Sequence, residues 1–107
     1  MLDDKYQKIL DAIEALRKLI KPLAKDDPNE GPLRKKAQKQ VRELKKQRDE
    51  LDRKKIDSTS KEYRDVAAEL QKGVDDIEDA VDDIKKIAEV IDQIAKGVEM
   101  AAKLVGA

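Results

Sequence analysis

Apolar residues recur along this chain in steps of three and four, in three runs separated by two breaks, and that spacing predicts three amphipathic helices. In the first run Leu2, Tyr6, Ile9, Ile13, Leu16, Ile20 and Leu23 share one face, with Leu10 and Leu19 beside it. Asp3 or Asp4 is placed to cap this helix. Pro22 cannot donate to the carbonyl four residues back, so the helix is expected to kink or stop near Lys21, giving a span of about residues 3–21. The following segment, rich in Asp, Pro and Gly, predicts a loop over 22–31.

A second helix over about residues 32–55 begins with Pro32 at its first position and carries Leu33, Ala37, Val41, Leu44 and Leu51 on its buried face, with Arg48 in a seam position. It has the thinnest stripe of the three. Residues 56–60 break the pattern. Thr59 to Glu62 then fits a capping box, in which Thr59 accepts from the Glu62 amide and Glu62 reaches back.

The third run starts at Tyr63 and continues through Leu70, Val74, Ile77, Val81, Ile84, Ala88, Ile91, Ala95, Val98, Ala102 and Val105 without losing phase. This heptad spacing predicts one coiled-coil-like helix over about residues 60–105. Ile87, Ile94 and Ala101 form a second column beside the seam. Gly73 and Gly97 fall inside the helix next to the seam, where a missing side chain lets another helix come close. Lys85, Lys86, Glu89, Asp92, Lys96, Glu99 and Lys103 interrupt the apolar positions, so the run is amphipathic and does not suit a bilayer span.

At 1.5 Å per residue such a third helix would be about 69 Å long, against about 30–37 Å for each of the first two. The fold class expected is therefore an all-α, antiparallel bundle of three helices in a single domain, with the third helix twice as long as the others. Its C-terminal half would lack a cover, and an uncovered apolar face marks an interaction site. The expected function is non-enzymatic: self-association into a homo-oligomer, or binding of a helical protein partner, through Ile84, Ile87, Ile91, Ile94, Val98, Ala101 and Val105. Two alternatives stand beside it. One is membrane action, peripheral or pore-forming, by an amphipathic helix. The other is a self-contained four-helix monomer in which the third helix bends back, with Gly73 as the hinge in view.

Composition narrows the classes further. Charged residues make up 45% and aromatics 2%, and His, Cys, Trp and Phe are absent, which suits long helices with narrow seams. Without Cys or His there is no thiol nucleophile, thiolate metal site or imidazole base, and the acids show no loop spacing for a hard cation. Ser58, Thr59, Ser60, Tyr6 and Tyr63 are the only hydroxyls, and they sit at a predicted cap or in a seam. No catalytic residue, metal or cofactor is expected. No leader segment is evident at the start, so cytoplasmic is the default location.

Charge is segregated along the chain. Residues 34–55 carry eleven Lys plus Arg against four acids, whereas residues 64–107 carry six against eleven, including Asp75, Asp76, Glu78, Asp79, Asp82 and Asp83. In an antiparallel bundle the basic start of helix two faces that acidic stretch, so internal pairing is expected. The net charge of zero and that pairing disfavour nucleic acid as a partner.

Overall fold

A computed structural model describes residues 5–106, and these form α1 (Gln7–Ile20), α2 (Glu30–Arg53), α3 (Lys61–Asp75), the single turn α4 (Ile77–Ala80) and α5 (Ile84–Gly106), with no strand among them. The proposed Asp3 and Asp4 caps lie outside the described residues. α1 ends where Pro22 requires, with Lys21 as its last helical cap. α2 starts two residues earlier than its proline suggests. The Asp27 carboxylate accepts from the Asn29 and Glu30 amides at 2.7 and 2.8 Å, which turns the chain into the helix. Pro32 then sits in the first turn, where a missing N–H leaves no bond unmade. A Cβ on Gly31 would stand 2.7 Å from the Lys25 carbonyl oxygen, so this tight loop needs glycine there. Arg34 reaches back from α2 to donate to the Ile20 and Leu23 carbonyls at 2.9 and 3.1 Å, closing the end of α1.

The end of α2 is a Schellman turn: the Ile56 amide donates to Leu51 and the Lys55 amide to Asp52. Lys55 holds the left-handed conformation at φ 55°, a region where any side chain is strained. Lys55→Gly should therefore raise the unfolding free energy by about 1 kcal/mol, read as a shift in urea midpoint. α3 is capped one residue later than its sequence suggests. Ser60 accepts from the Tyr63 amide at 3.2 Å, while Thr59 instead donates its hydroxyl and amide to Asp57 at 2.7 and 2.8 Å.

The largest departure from the sequence pattern is in the third run, which is not one helix. α3 stops at Asp75, and the chain reverses through α4 into α5. The reversal lies after Gly73, which remains helical. Acidic side chains at the C-terminus of a helix oppose its dipole, and the dense acids from Asp75 to Asp83 repel at helical spacing. At the start of a helix the same side chains are favourable. Asp83 accepts from the Lys85 and Lys86 amides at 2.9 and 3.4 Å and so caps α5. The apolar phase survives the reversal because α4 turns Ile77 and Ala80 inward onto the same core.

The result is a four-helix bundle measuring 41 × 25 × 23 Å. α1–α2 and α3–α5 are antiparallel hairpins, and they pack as a ring in which α3 lies against α1 and α5 against α2. This corrects the expectation that an antiparallel third helix brings the acidic stretch to face the basic start of α2. The link from α2 to α3 crosses beneath the start of α1, where the buried Tyr6 hydroxyl donates to the Ile56 carbonyl at 2.6 Å, with Leu51 O 3.1 Å away. Tyr6 and Tyr63 stack at tilted angles with centroids 5.3 Å apart, so α1 and α3 start together and run parallel.

The seam between α2 and α5 is also parallel, and it is polar in an ordered way. Gln40 donates to the Ile91 carbonyl at 3.1 Å and Gln47 to the Val98 carbonyl at 3.0 Å. Lys54 donates to the Val105 carbonyl one heptad further on. A constant offset of 51 residues links the three contacts, and a slip of one turn breaks all of them. Buried polar groups that specify register in this way are known from coiled coils. Between α3 and α5 the contact is close instead. A Cβ on Gly73 would meet Ile94 Cγ1 at 2.5 Å, and one on Gly97 would meet Leu70 Cδ2 at 2.5 Å.

Candidate interaction surface

The seven residues expected to form an exposed contact face do line up along α5, but the bundle covers most of them. Ile87 is 3% exposed, Ile91, Ile94 and Ala101 are 0%, and Val98 and Val105 are half-buried. Only Ile84 is open, at 40%, beside Pro22, Leu23 and Val81 at the end of the bundle. The face that looked unpartnered in the sequence is covered by α3 on one side and α2 on the other. Gln40 and Gln47, which hold α2 against it, escaped the sequence reading because a polar residue in a seam is invisible to a search for apolar spacing. Their seven-residue separation was the available signal.

Three surface features remain. A shallow groove of about 350 Å³ runs between α3 and α5, floored by Val66, Met100 and Leu104 and rimmed by Glu62, Asp65 and Lys103. A polar cleft of about 700 Å³ opens where α3, α4 and α5 meet, with Lys72 and Lys86 among Asp75, Asp76, Asp79 and Glu89. Among the described residues no cluster of three acids is arranged to hold a metal ion. The third is a crevice of about 360 Å³ between α1 and α2, lined by Arg17, Ile20, Gln38, Val41, Arg42 and Lys45.

Among the described residues the expected pairing of the basic stretch with Asp75 to Asp83 does not occur. The acids from Asp75 to Asp83 lie at the turn between α3 and α5 instead of along α2. Among the described residues they form no ion pair, and the one that joins the two hairpins is Lys36–Asp92 at 2.7 Å. Residues 5–56 therefore make a hairpin with seventeen cations and nine acids, and residues 57–106 one with seven and thirteen. The folded molecule is electrically two-sided.

Hydrogen bonds lower the proton affinity of four carboxylates. Asp27 is held below the usual carboxylate range by the Glu30 amide and then by Asn29. The Thr59 hydroxyl and amide do the same for Asp57, Arg53 for Glu50, and Lys72 followed by Gln93 for Glu69. Each of these shifts is downward, so each adds stability above the unfolded pKa and loses it as pH falls through the folded value. A downward shift is opposite to what a proton donor near neutrality needs.

Among the described residues no helix is long and apolar enough to cross a membrane. Comparison with protein-family models, curated proteins and solved structures found no match.

Proposed function

We propose that this protein is a self-contained, non-enzymatic four-helix domain that acts as a monomer and meets its surroundings through the outer, charged faces of its helices. The observation that carries this reading is the burial of Ile87, Ile91, Ile94 and Ala101 within the chain's own core. What α5 still exposes at Ile84, Val98 and Val105 falls far short of the roughly 800 Å² per partner that a stable interface buries. Membrane insertion of α5 would first require the bundle to open. Ser60 and Thr59 act in a helix cap and its turn, and Tyr6 anchors a crossover, so these hydroxyls have structural work that explains them.

Sedimentation equilibrium over a wide concentration range tests the reading. A single 12.1 kDa species is expected throughout at physiological salt. A stable multiple of that mass would overturn it and return α5 to consideration as an assembly face.

A further inference from the structure

We propose that the outer face of α2, together with the crevice it forms with α1, binds the phosphate backbone of nucleic acid without reading its sequence. The observation is a set of cations that the fold leaves unused. From Arg34 to Arg48 the chain has eight Lys or Arg and a single acid, Glu43. Three of the eight have structural partners, Arg34 on the α1 carbonyls, Lys36 on Asp92 and Arg48 on Asp49. Lys35, Lys39, Arg42 and Lys46 remain exposed, and at 3.6 residues per turn they fall within an arc of about 60° over a length of about 17 Å. Lys45 and Arg17 flank this stripe, and with Arg42 they line the α1–α2 crevice, which has no acid in its walls. None of these six forms an ion pair among the described residues; Glu50, which feels Lys46, is held by Arg53.

Net neutrality does not cancel the stripe. The densest acids, Asp75 to Asp83, lie at the turn between α3 and α5, and on α5, which packs against α2, Asp92 is taken up by Lys36, a residue outside the stripe. Charges further off than the screening length of about 8 Å at physiological salt are largely masked. The stripe therefore presents its own field. A phosphate backbone suits it better than a scattered protein surface does. Duplex DNA carries about one charge per 1.7 Å along its axis and releases condensed counterions when cations replace them, a driving force that protein carboxylates do not supply. No aromatic residue and no base-reading groove helix accompanies the cations, so the contact is to the backbone alone.

Fluorescence anisotropy with two labelled 20-base-pair duplexes of unrelated sequence tests this. Equal affinity for both is expected, falling about a hundredfold between 50 and 200 mM salt for about four phosphate contacts. The variant Lys39→Gln/Arg42→Gln/Lys46→Gln should bind at least tenfold more weakly at 50 mM salt with a shallower salt slope, while its thermal melt stays close to that of the parent. Lys85→Gln/Lys86→Gln/Lys103→Gln, with the same charge change on the other hairpin, should bind as the parent does. Absence of binding at 50 mM salt, or equal loss in both variants, would overturn the proposal. So would low-salt oligomerisation without DNA that the α2 variant abolishes, because the stripe would then be taken by the acidic hairpin of a second copy.

Discussion

Ile91→Asp combined with Ile94→Asp should unfold the entire protein, including the α1–α2 hairpin that neither residue belongs to. Both side chains are completely buried, Ile94 against Gly73 of α3 and Ile91 in the α5 turn whose carbonyl receives Gln40 of α2. Truncating a buried isoleucine costs about 2–5 kcal/mol, and an unpaired carboxylate in its place adds the cost of losing water. Two such changes total on the order of 10 kcal/mol, against the 5–15 kcal/mol that holds a domain together. Far-UV circular dichroism is the direct measurement, and near-complete loss of helix signal at 25 °C is expected. A protein with a free-standing third helix would behave differently, keeping its first two helices and losing only mass. Retained helicity in the double variant would sink the bundle described here.

Gly97→Ala should destabilise the protein although alanine is the better helix former. In an exposed helix the substitution gains about 1 kcal/mol. Here the added Cβ falls 2.5 Å from Leu70 Cδ2, 2.8 Å from Leu70 Cγ and 3.3 Å from the Leu70 backbone nitrogen. The leucine side chain can rotate away but the backbone cannot, so α3 and α5 must separate and the packing of the whole hairpin loosens. Overpacking of this kind costs about 1–3 kcal/mol, enough to reverse the sign, and Gly97→Val should cost more. Gly73→Ala should be milder, because the nearest backbone atom, the Ile94 nitrogen, is 3.6 Å away and so only the Ile94 side chain, with Cγ1 at 2.5 Å, has to shift. Urea midpoints of the three variants would show the order. A Gly97→Ala protein more stable than the parent would mean that the close approach of α3 and α5 is not real.

Much of this arrangement was legible in the residues. The faces of α1 and α2, the stop at Pro22, and the role of Gly73 and Gly97 as points of close helix approach all follow from spacing and side-chain size. The reversal between α3 and α5 did not follow, because Ile77 and Ala80 keep the seven-residue rhythm while the chain turns. A signal was present nonetheless. Asp82-Asp83 directly ahead of Ile84-Lys85-Lys86 is a helix start, and Asp75-Asp76 is a poor helix end that a hairpin tolerates. The candidate surface moved for the same reason. Once α5 folds back, its isoleucines become core, and the acidic turn that would have neutralised α2 is carried to the end of the bundle.

The sequence by itself determined that this protein is helical and which apolar side chains of α1 and α2 face inward, because both depend on the local repeat of a single helix. In α5 the fold buries the column of Ile87, Ile94 and Ala101 and leaves Ile84 and Ala102 of the expected seam exposed. The sequence determined the charge segregation as well, since that is a matter of order along the chain. The tertiary structure alone decided where the third run turns back, which helices become neighbours and which charges stay unpaired. Periodicity along one helix carries no information about the helix it will touch. That choice rests on fits between distant residues, such as Gly97 with Leu70, Gln40 with the Ile91 carbonyl and Tyr6 with the Ile56 carbonyl, and these exist only once the chain has closed on itself.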